Sequence, residues 1–217
     1  MEQTMDSRLP QPAALRHQAE TEDHLWATCA SLLLSPSLVW AAWVFAIAWT
    51  TDADPRADLR YAALFVIAVC AAPVFFVSLM VRNGRISDLN LRESRERYIP
   101  YSIAIIGGLC CLIVYPQFDA NPILYVVTLV SIVKLALMLV GTLFVHISFH
   151  AAGMASIVSA TTLLFGFDQG LLFLPVLLLV SLARLVLSRH TPAQILIGAL
   201  IGVLTPLAVI AAMGIFL

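Results

Sequence analysis

Charge is scarce in this chain. Only 12% of its 217 residues are charged and 61% are hydrophobic, whereas a soluble domain carries about 25% charged residues. That composition excludes an ordinary soluble domain and points to a protein whose surface faces lipid. A net charge of −1 leaves no polybasic or polyacidic surface, so no nucleic-acid partner is implied. Lysine is almost missing: of 12 basic residues only Lys134 is one. Cysteine is confined to Cys29, Cys70, Cys110 and Cys111, all inside apolar runs and without C-x-x-C spacing, which argues against thiol-based metal or redox chemistry. The alternation needed for barrel strands is absent, as are internal repeats and low-complexity tracts. A cleaved signal peptide is not expected, because the first apolar run starts near Leu25, behind a polar tail with several acidic residues, and continues to about Trp49.

What the chain has is long apolar runs. A bilayer core of about 30 Å is crossed by about 20 apolar residues in helix, and lipid tolerates no unpaired backbone. Spans are expected near 25–49, 61–81, 101–117, 122–146, 150–167, 170–187 and 192–216. The expected fold is therefore an all-α, polytopic transmembrane helical bundle of about six to seven spans. Residues 1–23 would form a polar N-terminal tail and 24–217 the membrane domain. Ser, Thr, Gly and Ala in the fifth span suit close helix packing.

The polar residues collect between these runs. With seven spans, the connections around 82–100, 146–150 and 188–194 share one face with the N-terminal tail. Arg82, Arg85, Arg92, Arg95, Arg97, Arg184 and Arg189 gather there, against Arg56 and Arg60 on the other side. The positive-inside rule places the arginine-rich face in the cytoplasm. Tyr98 and Tyr101 suit an interfacial belt. His146 and His150, if both helical, share one helix face. Lys134, deep in the fourth span, is a functional candidate by default. An unbroken helix would put it roughly 24 Å from His150, too far to touch the same phosphate.

Arginine presents a planar fork suited to phosphate oxygens. Histidine serves as nucleophile or general acid near neutral pH. Arginines and histidines converging at a bilayer surface therefore suggest phosphoryl transfer on a lipid headgroup. "TPAQ" (191–194) also reads as a helix start, with Thr191 as N-cap, Pro192 in the first position and Gln194 completing a capping box. A helix N-terminus beside His190 favours a bound phosphate as well.

The spacing resembles that of the type-2 phosphatidic acid phosphatase superfamily, whose motifs are Lys-x6-Arg-Pro, Pro-Ser-Gly-His and Ser-Arg-x5-His-x3-Asp. Arg184-x5-His190 matches the core of the third motif, with Ala183 where the family has Ser and Gln194 where it has Asp. "ISFH" (147–150) keeps Ser148 and His150 of the second motif without its Pro and Gly. For the first motif, Arg85-x6-Arg92 has the spacing, and Arg95 and Arg97 shortly precede Pro100. The resemblance covers roughly residues 80–205, with the motifs in the family's order, as in a divergent bacterial branch. It implies a multi-pass protein, in a bacterium a plasma-membrane one. Its activity would be metal-independent hydrolysis, without a cofactor, of a lipid phosphate or an isoprenoid (di)phosphate. His190 would carry a phosphohistidine and His150 would protonate the leaving oxygen. Arg184 and an arginine of 92–97 would hold the phosphoryl oxygens, with Arg85 and Ser148 as further substrate contacts. His146 matches no motif position and is a candidate second phosphate contact by its place beside Ser148 and His150.

Gln194 departs from the pattern where it matters most. An amide oxygen accepts a hydrogen bond from the imidazole but brings no charge. In another fold the same kind of acid-to-amide change lowers turnover by about 10⁴. Either activity is reduced or another acid serves, with Asp88 and Glu96 as candidates. Two other functions follow from the same residues. One is an impaired homologue that binds or transports lipid phosphates. The other is a membrane prenyltransferase, which wants paired Asp-rich Mg²⁺ motifs. "DADPRAD" (52–58) is the nearest approach to one and falls on the opposite face.

Overall fold

The computed structural model describes residues 24–50, 55–85, 94–118 and 120–214. The tail 1–23, together with Asp88 and Arg92, lies outside them. Eight helical segments account for the fold: α1 Leu25–Leu33, α2 Pro36–Thr50, α3 Arg56–Arg82, α4 Tyr98–Val114, α5 Pro122–Gly141, α6 Phe149–Phe165, α7 Phe167–Val186 and α8 Pro192–Ala212. Among the described residues no strand occurs.

Five of these helices are long and apolar enough to cross a membrane: α3, α5, α7 and α8, and α4 when continued through the 3-10 turn to Gln117. The pair α1 and α2, bent by 45°, makes a sixth if it is one span. The bend falls at Ser35, whose helical conformation the following Pro36 disfavours. The expected fifth span is present in place as α6, but its 17 residues reach only about 25 Å. α6 is the central helix. Its residues from Ala151 to Ile157 are all buried, and α8, α7 and α2 pack around it.

Small residues set that packing. A Cβ on Gly198 would lie 2.5 Å from the Ser148 carbonyl oxygen, and one on Gly202 2.4 Å from that of Ala152. Gly198 and Gly202 form a G-x-x-x-G pair that lets α8 lie directly on the α6 backbone. On the other side of α6, Trp40 Nε1 donates to the Gly153 carbonyl at 3.1 Å and Trp43 Nε1 to Thr161 Oγ1 at 3.0 Å, fixing α2.

α3 widens into a π-turn at Val66–Ala71. The turn lies just before Pro73, whose ring would collide with the carbonyl of Val69 in a regular helix. α4 closes against this turn, where a Cβ on Gly107 would meet the Ala68 oxygen at 2.4 Å.

Candidate active site

Arg184 and His190 are brought together by the end of α7. The Arg189 amide donates to the Arg184 carbonyl at 3.0 Å and the Ser188 amide to that of Leu185 at 2.9 Å. This is a Schellman motif, with Ser188 at φ 51° in the position usually taken by glycine. The chain folds back over the last turn, so five intervening residues separate two side chains that line one cavity. The expected helix start follows at once. Thr191 Oγ1 accepts from the Gln194 amide at 3.3 Å, and Gln194 Oε1 accepts from the Thr191 amide at 3.2 Å. The capping box of α8 is thus complete.

The same Gln194 Oε1 lies 3.2 Å from His190 Nδ1. Because the Thr191 N–H must meet an oxygen, the cap fixes which way the amide faces. Nδ1 is then the protonated nitrogen of the neutral ring, and Nε2 keeps its lone pair. Burial, with the Arg184 guanidinium adding to it, lowers His190 from 6.5 to about 4, against the opposing effect of the Gln194 bond. His190 is only 7% exposed.

The second segment is not one helix face. α5 ends at Gly141, the chain turns through 142–148, and α6 starts after Ser148. His146 therefore lies in the turn and His150 in the first turn of α6. Ser148 is fully buried, and its hydroxyl accepts from the Ala151 amide at 3.4 Å as the cap of α6. Its own amide donates to the Gln194 carbonyl at 3.3 Å, joining the starts of α6 and α8. Ser148 does not line the cavity.

The first segment contributes Arg97, 5% exposed at the start of α4. Its guanidinium donates to the Ile147 carbonyl at 2.9 Å and to His146 Nε2 at 2.6 Å. A guanidinium only donates, so His146 Nε2 accepts. Burial first, then Arg97 and Arg184, lowers the His146 pKa. The His146 and His190 rings stand 5.1 Å apart. Arg85 is exposed beyond α3 and is not brought to this cluster. Arg95 lies on the short 3-10 turn Ser94–Arg97. Glu96, on the same turn, is half-buried and does not line the cavity.

Ser31 on α1 is the residue that sequence reasoning missed. Its hydroxyl accepts from Arg184 at 3.0 Å, and its carbonyl lies 3.1 Å from His150 Nε2. A carbonyl only accepts, so His150 carries its proton on Nε2. The signal lay in "SLLLSPS" (31–37), where a proline and three serines interrupt an apolar run. The bend at Pro36 turns α1 onto α7, and the run is not a plain anchor.

Arg97, His150, Arg184, His190 and Ser31 line a cavity of about 380 Å³ that continues between α2, α3, α4 and α5 to Trp40, Cys70 and Lys134. The separation considered for Lys134 and His150 holds for an unbroken helix; here α5 ends at Gly141 and α6 begins at Phe149, and both residues line the cavity. Tyr101 is likewise core, 5% exposed and against Phe149, not part of an interfacial belt.

Among the described residues no group of three or more His, Cys, Asp or Glu is placed to hold a metal ion. Comparison with protein-family models, curated proteins and solved structures finds no match.

Proposed function

We propose that this protein is an integral-membrane phosphatase that hydrolyses a lipid phosphate or an isoprenoid (di)phosphate through a phosphohistidine on His190. One observation carries the reading. Arg97, His150, Arg184 and His190, from three separate connections, surround one end of a cavity whose remainder is largely apolar. A phosphate headgroup fits the arginines, and an apolar chain fits the helices below. The N-termini of α4, α6 and α8 converge on the same end and favour an anion.

In the first step Nε2 of His190 attacks the terminal phosphorus, the bond from it to the bridging oxygen breaks, and the leaving group takes a proton: the alcohol from a monophosphate, the prenyl monophosphate from a diphosphate. The two arginines neutralise charge on the phosphoryl oxygens, so most of the catalysis is positioning and electrostatics. His150 serves as the acid once it is protonated on both nitrogens: it exchanges the Ser31 carbonyl for the leaving oxygen, gives up the Nε2 proton and is left neutral. In the second step water attacks phosphorus, the bond from phosphorus to His190 Nε2 breaks, one proton of the water passes to the now neutral His150, and inorganic phosphate leaves. The arginine-rich face that holds this site is read as cytoplasmic.

The experiment is phosphate release by the purified protein in detergent with EDTA. The substrates are phosphatidate, phosphatidylglycerophosphate and prenyl diphosphates. Metal-independent release that disappears in His190→Ala is the expected result. Gln194 and the engaged proton of His150 favour a second reading, a protein that binds or transports lipid phosphates without turnover. Saturable binding with no release from any substrate, even in Gln194→Asp, would select it.

A further inference from the structure

Lys134 is the single lysine of the chain and has no part in the chemistry above. It sits on α5, 3% exposed, with its Nζ 3.4 Å from the centre of the Trp40 ring. Among the described residues it forms no hydrogen bond or ion pair. Trp40 is itself held by its bond to the Gly153 carbonyl. Lys134, Ser131 and Trp40 all line the cavity that opens at Arg97 and His190. A donor buried without an acceptor is costly, and a cation on an aromatic face recovers only part of that cost.

The depth of this donor follows from the helix. Lys134 stands about two turns, roughly 10 Å, before Gly141 at the end of α5. Gly141 packs on Ile147, whose carbonyl accepts from Arg97. The donor atom itself lies over Trp40, whose indole is bonded to the Gly153 carbonyl three residues after His150, so it stands just below the phosphate end, where an isoprenoid chain offers only hydrocarbon. A glycerolipid offers ester oxygens there.

Resting on the phosphatase reading of the site, we infer that Lys134 and Trp40 form a second polar subsite, in which Lys134 Nζ donates to an ester carbonyl of an acylglycerol phosphate. The arginines hold the phosphate and Lys134 reads the linkage beneath it. Lys134 is a specificity residue and takes no part in bond breaking.

The test is binding of non-hydrolysable probes to the full-length protein in detergent, by calorimetry. The probes are the phosphonate analogue of dioctanoyl phosphatidate and farnesyl phosphonate. Lys134→Met removes the donor and keeps the bulk, and is expected to weaken the glycerolipid probe about tenfold while leaving farnesyl phosphonate unchanged. Lys134→Gln, which keeps a donor, recovers part of the loss. Equal weakening of both probes means that Lys134 only holds Trp40 in place, and overturns the inference. So does an unchanged glycerolipid affinity, or none in the wild type. Phosphate release is scored separately. If the binding pattern holds and no substrate is turned over, the catalytic reading fails and the subsite stands.

Discussion

Gln194 Oε1 stands 3.2 Å from His190 Nδ1 and 3.2 Å from the Thr191 amide, so one oxygen caps a helix and orients an imidazole. The expected capping box is present, and the same oxygen makes the contact to His190. Charge is what the amide does not supply to the imidazole.

Replacing Gln194 tests that directly. Gln194→Glu keeps the side-chain length and the box, and adds a carboxylate that stabilises a positively charged imidazole. At least a tenfold higher kcat for phosphate release is expected, a modest share of the roughly 10⁴ seen for acid-to-amide exchange elsewhere. Gln194→Leu removes both bonds. It is expected to lower kcat and to cost about 1 kcal/mol of stability, as for a lost cap. Phosphate release and thermal unfolding in detergent measure the two effects separately.

The acid side of the pH profile follows from His190. Its pKa of about 4 lies below the unfolded value, so between pH 6.5 and about 4 the unfolded chain holds more protons. Stability from this group is therefore complete above 6.5, falls as pH drops through that window, and changes no further below it. His146, lowered by burial and Arg97, acts in the same direction. The kcat/KM limb assigned to His190 is expected near 4. In Gln194→Glu it moves up, because a carboxylate favours the imidazolium. The substrate's own ionisation stays put, which separates the two. A limb that does not move between wild type and Gln194→Glu would remove His190 from the chemistry.

Ser188 offers a stability test with little chemical consequence. A non-glycine residue in the left-handed region costs roughly 1–2 kcal/mol. Ser188→Gly is expected to raise the unfolding temperature and leave phosphate release within about twofold of wild type. Ser188→Val, with its branched side chain, is expected to lower both. A destabilised Ser188→Gly would mean that the reversal after α7 is not strained.

The sequence discloses the helices because lipid allows little else, and seven apolar runs fall where α1–α2 and α3 to α8 stand. It also discloses Arg97, His150, Arg184 and His190 as neighbours, since parity puts their connections on one face. It does not disclose how the third connection turns, because Ser188 occupies a position where glycine is the recognisable signal. It ends the fourth run at 146 and starts the fifth at 150, but not where the helix stops: α5 ends at Gly141, and Ser148 caps α6. Ser31 was hidden by hydropathy averaging, in which one serine barely weakens a leucine-rich run. That Lys134 lines the same cavity is not legible either, since it depends on how α5 packs against its neighbours.

The contact between α6 and α8 governs whether the site exists at all. A Cβ at position 202 would come within 2.4 Å of the Ala152 oxygen and 2.8 Å of the Ala155 side chain. Neither the backbone nor the short alanine can move aside, so the helices must separate. His150 rides on α6, while Gln194 and His190 stand at the start of α8. A shift of the axes therefore draws the proposed acid from the proposed nucleophile. Gly202→Ala is expected to cost about 1–3 kcal/mol, as for overpacking. It should lower kcat more than it raises KM, because the arginines that hold phosphate sit on α4 and α7. Gly84→Ala is the control, since nothing lies within 4 Å of its Cβ position. Its φ of 67° strains the backbone there without touching the site, so stability falls and kcat holds. If Gly202→Ala loses stability with kcat intact, the packing of α6 on α8 supports the fold but does not set the distance between the two histidines.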